Sequence, residues 1–164
     1  MIEIQNHILF INGKSVDYRP SPNHGGIITP EYLIIHYTAA KTANSAINWM
    51  LSKDAKVSAH LHIERDGNIV QLVPFNIKAW HAGASSWNGL TGLNSYSIGI
   101  ELQNDSKEDY TPIQLDVAKD ISRLLVTRYC LKDILGHSDI SPGRKVDPGI
   151  KFPMQLFKSA VFCT

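Results

Sequence analysis

Apolar residues fall along the chain in three patterns: unbroken runs, alternation with polar residues, and helical spacing. The run Tyr32, Leu33, Ile34, Ile35, His36, Tyr37 leaves no face polar, which predicts a strand covered on both sides of a sheet. Residues 97–102, with Ile98, Ile100 and Leu102 around Glu101, predict another strand. Residues 57–64 alternate, and a turn at Arg65, Asp66, Gly67 and Asn68 leads into residues 69–73, which predicts a hairpin. Ala46, Ile47, Met50 and Leu51 lie at helical spacing within residues 43–52. A longer helix opens at Thr111 and Pro112, a capping hydroxyl followed by proline at the first helical position. Its apolar stripe is Ile113, Val117, Ile121, Leu124 and Leu125, while Asp116, Lys119, Asp120 and Arg123 face water. A final helix is expected over residues 153–161. Residues 1–30 read as a hairpin, apolar at 2–4 and 8–11, followed by a loop extension rich in Pro20, Pro22, Gly25 and Gly26. Residues 104–109 are polar and read as a surface loop.

The 164 residues amount to one domain, residues 1–164, with no internal repeat or linker. Sixteen Lys and Arg against fifteen Asp and Glu give a net charge of +1, which excludes the strongly basic footprint of a nucleic-acid binder. No run is long enough for a membrane span. The first residues lack a basic segment and the apolar piece at 8–11 is too short for a signal-peptide core, so the chain as written reads as cytoplasmic. Cys130 and Cys163 are too few for a disulfide framework and read as reduced, partly buried thiols, with pairing as the alternative.

Residues 136–149 form an unusual loop, because turn residues are interleaved with His137, Asp139, Arg144, Lys145 and Asp147. A catalytic zinc takes three ligands from His, Asp/Glu and Cys and keeps a fourth position for water. His137 and Asp147 supply two, and His36, at the end of its strand, is the best third because a buried strand aims a ligand rigidly. His60 and His62, two apart on one strand and facing the same way, are the rival pair. His24, among glycines, reads as solvated. Asp139 reads as a turn carboxylate accepting backbone hydrogen bonds. Arg144 reads as an ordinary solvated charge. Glu101 is either half of a structural ion pair or a general base beside the metal. Trp80 and Trp87, in an aromatic and glycine-rich stretch at 76–95, are either core or the wall of a cleft suited to sugar and peptide.

Four segments together resemble the zinc-dependent N-acetylmuramoyl-L-alanine amidases, in particular their AmpD-type branch: residues 34–39, 79–83, 97–101 and 136–149. The fold is related to that of peptidoglycan recognition proteins and phage lysozyme-like amidases. The resemblance runs from about residue 30 to 160 and implies an α/β (α+β) fold with a central mixed β-sheet flanked by helices. It further implies one zinc ion held by His36, His137 and Asp147, with Glu101 as general base and Lys145 as the cation that stabilises the oxyanion. Tyr37, His60, Trp80, His81, Trp87 and Asn94 are the implied substrate-binding residues, His60 as a pocket residue and not a ligand. Gly92 stands where the family often has an arginine that helps to hold the ligand. The implied reaction is hydrolysis of the amide between N-acetylmuramic acid, or its anhydro form, and L-alanine of the stem peptide. A monomer acting on muropeptide or peptidoglycan is expected, either in the cytoplasm or on the cell wall after phage lysis or delivery. A muropeptide-binding module without activity and a zinc hydrolase of another amide are the alternatives.

Overall fold

The computed structural model describes residues 1–162. Strands β1 (Ile2–Gln5) and β2 (Ile8–Ile11) make the expected antiparallel hairpin, and β3 (Lys14–Ser15) adds to it. The expected loop beyond holds two short strands, β4 (Asp17–Tyr18) and β5 (His24–Ile27). A two-residue strand carries no alternation to read, so β4 was invisible to patterning. His24 is exposed on β5.

Next come β6 (Tyr32–Tyr37) and helix α1 (Ala43–Leu51), capped by the Thr42 side chain accepting from the Ser45 N–H. Strands β7 (Leu61–Ile63) and β8 (Ile69–Gln71) form the predicted hairpin but are shorter than expected. Part of the reason is that the Ser58 N–H leaves the ladder for the Trp80 carbonyl. Strand β9 (Ile77–Ala79) pairs with β5, and β10 (Ser86–Trp87) pairs with β11 (Leu90–Thr91). Strand β12 (Ser97–Leu102) precedes helix α2 (Pro112–Tyr129), then β13 (Asp133–Gly136), the short helix α3 (His137–Ile140) and helix α4 (Met154–Phe162).

Thr111 caps α2 as expected, accepting from the Gln114 N–H. The buried stripe is shifted from the predicted one. Ile113 is 54% exposed, whereas Gln114 and Ser122 are buried. Gln114 Nε2 donates to the Ile63 and Gln103 carbonyls and the Ser122 hydroxyl donates to Ala118, while Gln114 Oε1 is buried without a partner. Cys130, which ends α2, is exposed, contrary to the expected partial burial, and Cys163 lies outside the described residues.

The central sheet is mixed, with strand order β13-β6-β12-β7-β8-β4. Strands β13, β6, β12 and β7 run parallel, β8 is antiparallel to β7, and β4 is parallel to β8. Leu33, Ile35, Ile98, Ile100 and Leu102 point to one face and pack against Ala118, Ile121 and Leu125 of α2 and Phe157 and Val161 of α4. The opposite face is covered by α1, through Ile47 and Met50 against Val70 and Leu72, and by a cluster of Ile34, Ala82, Leu93 and Leu135. Burial on both faces is what the unbroken run at 32–37 requires. Among the described residues no helix is long and apolar enough to cross a membrane.

Candidate metal centre and its cleft

The parallel strands deliver the chemistry at their carboxyl ends, where open α/β sheets bind ligands. His36 is the next-to-last residue of β6, and its register partner across the β6–β12 pair is Glu101. On the other side, Gly136 of β13 pairs with Ile35, so His137, the residue that follows, emerges beside His36. The loop then returns Asp147 to the same point, held there by the Ser138 N–H donating to the Asp147 carbonyl.

Three ligand atoms converge. His36 Nδ1 lies 3.0 Å from His137 Nδ1 and 3.0 Å from Asp147 Oδ2, and His137 Nδ1 lies 3.2 Å from Asp147 Oδ2. All three residues are buried, and they are the one such group of potential ligands among the described residues. His137 Nε2 sits 3.0 Å from the Ala82 carbonyl, which can only accept, and 3.4 Å from Arg144 Nη2, which can only donate; the shorter contact places the hydrogen on Nε2 and turns the Nδ1 lone pair to Asp147. Burial would raise the Asp147 pKa; positive charge on the imidazole side, a proton or a metal ion, is what holds it below the usual carboxylate range. His36 is lowered by burial, opposed by Asp147. Lone pairs of an imidazole and an ionised carboxylate aimed at one point, with no proton between them, fit a cation. Two nitrogens and a carboxylate oxygen are a zinc donor set.

Glu101 lines the same cleft, with Oε2 buried and without a hydrogen-bond partner. Burial and then the charge of Asp147 push its pKa well above the usual value, with Lys145 pulling the other way. The cleft, about 410 Å³, is also lined by Tyr37, Trp80, His81 and Lys145. Tyr37, Lys145 and Val146 border a second groove of about 640 Å³, which continues past Pro148 and Ile150.

Three of the residues expected to bind substrate stand away from the cleft walls. His60 is fully buried, with Nδ1 accepting from the Gly99 N–H and Nε2 donating to the Ile77 carbonyl. Asn94 Oδ1 accepts from the His81 and Ala82 N–H groups, and Trp87 packs on the Ile34, Ala82 and Leu93 cluster. His62 is in register with Glu101 on the other side of β12, fully buried, with neither ring nitrogen partnered. The rival His60 and His62 pair therefore forms no metal group.

Asp139 behaves as a turn carboxylate, accepting from the Gly136 N–H at 2.7 Å. Arg144 is exposed, as expected of a solvated charge, but its guanidinium is also anchored. Its Nη2 donates to the Ala82 and Ala84 carbonyls, both at 2.7 Å, and to the Ser141 hydroxyl at 2.8 Å. Sequence reasoning missed the far wall, built by Ala46, Trp49 and Met50 of α1 with Val57. Trp49 is 60% exposed, and the available signal was a tryptophan lying off the apolar stripe of its helix.

Comparison with known proteins gives a family for this fold. The family model described as N-acetylmuramoyl-L-alanine amidase matches residues 28–150. The 1,6-anhydro-N-acetylmuramyl-L-alanine amidase AmpD of Citrobacter freundii is 44% identical over 108 residues, covering 65% of this chain and 58% of the relative. That match therefore spans less than two thirds of the relative's length. A crystal structure of a selenomethionine AmpD derivative superposes with a TM-score of 0.78 at 31% identity, over 96% of this chain and 98% of that one. The amidase AmiD of E. coli, solved with anhydro-N-acetylmuramic acid-L-Ala-D-gamma-Glu-L-Lys, gives a TM-score of 0.75 at 30% identity, over 97% and 65% of the two chains. With a family model matched over three quarters of its length and solved amidases superposing on its fold, the chain belongs to the N-acetylmuramoyl-L-alanine amidase family.

Proposed function

We propose that residues 1–164 form a single amidase domain that uses one zinc ion to hydrolyse the amide between N-acetylmuramic acid, in its anhydro form or in peptidoglycan, and L-alanine. The observation that carries this reading is the meeting of His36 Nδ1, His137 Nδ1 and Asp147 Oδ2 within 3.0 to 3.2 Å, beside a carboxyl in register with the first of them. The family is generally zinc-dependent, and both the AmpD relative and the AmiD structure carry anhydromuramyl substrates in their names.

His36, His137 and Asp147 would hold the ion. Bound there, zinc supplies Lewis acidity and brings the pKa of a water toward neutrality. Glu101 takes the proton of the attacking water on its carboxylate and returns it to the departing alanine nitrogen. The raised pKa of a buried carboxyl suits both halves of that transfer. Lys145, on the cleft wall, faces the carbonyl oxygen as it gains charge. The two grooves that meet at Tyr37 and Lys145 leave room on either side for the two halves of a scissile amide. Every group comes from one chain, so a monomer suffices.

Zinc analysis of the purified protein, together with mass-spectrometric detection of free stem peptide from anhydromuropeptide and from sacculi, tests the reading. Stoichiometric zinc with peptide release is the expected result. A protein with neither metal nor product would be a binding module, and metal without product would point to another amide.

A further inference from the structure

The amidase reading leaves unexplained how both imidazoles come to present Nδ1 to one point. The hydrogen bonds behind them fix every proton in turn. The Ser97 hydroxyl lies 2.6 Å from the Leu93 carbonyl, which accepts only, so its hydrogen is committed there. Ser97 Oγ must then accept from His81 Nε2, 3.2 Å away, which places the hydrogen of His81 on Nε2 and leaves Nδ1 bare. His81 Nδ1 is 2.9 Å from His36 Nε2 and accepts from it, so His36 Nδ1 is bare where it faces Asp147. The next residue does the same for the other ligand, because the Ala82 carbonyl takes the His137 Nε2 hydrogen at 3.0 Å.

The dipeptide that serves both ligands is itself fixed. Asn94 Oδ1 accepts from the His81 N–H at 2.9 Å and from the Ala82 N–H at 2.7 Å, and Arg144 Nη2 donates to the Ala82 carbonyl. A Cβ added at Gly99 would meet His81 Cγ at 2.5 Å, so β12 is cut away to seat this ring.

We infer that His81–Ala82 is the positioning element of the metal centre, with His81 and Ser97 acting through His36 to hold it as the Nε2–H tautomer. His81 is then a positioning residue and not a substrate contact. The inference rests on the reading of His36, His137 and Asp147 as ligands. Outer hydrogen bonds of this kind are worth about 10- to 100-fold in metal affinity.

The test uses two measurements on the full chain. Long-range 15N–1H correlation of the metal-free protein reads the His36 tautomer directly, whether or not the wild type takes up zinc. Competition with a chromogenic chelator reads zinc affinity. Wild type is expected to show His36 protonated on Nε2. In His81→Ala a population protonated on Nδ1 is expected, with zinc binding about 10- to 100-fold weaker. His81→Asn, whose Oδ1 can replace the Nδ1 acceptor, should recover most of both. Ser97→Ala removes a single hydroxyl and stands in should His81→Ala fail to fold; it frees His81 to carry its hydrogen on Nδ1, which would push that of His36 toward the ligand position. An unchanged His36 tautomer with unchanged zinc affinity in Ser97→Ala or His81→Ala overturns the inference. A wild type with the expected tautomer but no affinity for zinc overturns the amidase reading instead.

Discussion

Glu101 and His36 face each other in register across two parallel strands, so the carboxyl and the first imidazole are fixed by the same backbone ladder. The proposed base therefore cannot drift from the ligands without unpairing the sheet. Glu101→Gln keeps the shape and should retain fold and zinc while turnover falls by about 10²- to 10⁴-fold. Lys145→Ala, at an exposed side chain, should likewise leave melting and zinc unchanged and lower turnover by about a hundredfold or more. Assays of turnover beside zinc content check both, and full activity in the glutamine variant would remove Glu101 from the mechanism.

Asp147→Ala removes the one anionic group of the proposed ligand set. Zinc retention through a desalting column should be lost and activity with it. The backbone link from Ser138 to residue 147 remains, so circular dichroism of the metal-free variant should match wild type.

Trp49 is largely exposed and lines the same cleft as His36, His137 and Asp147. Removing it takes away apolar contact with bound substrate and nothing at the reacting centre. Trp49→Ala should raise KM by about tenfold with kcat and melting temperature near wild type. A fall in kcat at unchanged KM would count against a wall contact.

His62 gives a pH signature. Burial lowers its pKa to about 4 from an ordinary value near 6.5. The unfolded chain thus binds the proton more readily, and stability is lost as pH falls from about 6.5 toward 4. The loss reaches roughly 3 kcal/mol below the lower value. His60 is lowered to about 4 by the same burial, so His62→Leu should lessen that part of the melting profile without abolishing it. It should also stabilise the protein near neutrality, because two unpartnered ring nitrogens leave the interior. An acid slope as steep as that of wild type would show that His62 contributes nothing to it.

How much of this was legible follows from where each signal resides. The strand at 32–37 declared itself, because covering both faces demands an unbroken apolar run, and β6 has the predicted limits. His137 and Asp147 could be read from a loop too rich in chemistry for a connector. Gln114 and Ser122 were read past because their burial depends on carbonyls that other segments bring to them. The roles of Asn94 and Gly99 depend on ring positions and proton placement, which exist only after β9, β12 and the 80–94 segment have come together. The anchoring of the exposed Arg144 went unread because nothing local hinted that residues 82–84 would turn their carbonyls to it.

His36 and His137 lie 101 residues apart along the chain. A shared ion would act as a cross-link between distant segments, restricting the unfolded ensemble much as a long-range disulfide does. Chelation should therefore do more than silence the protein. It should loosen the ends of β6 and β13, so that proteolysis begins in residues 136–149 before the helices packed on the far face are reached.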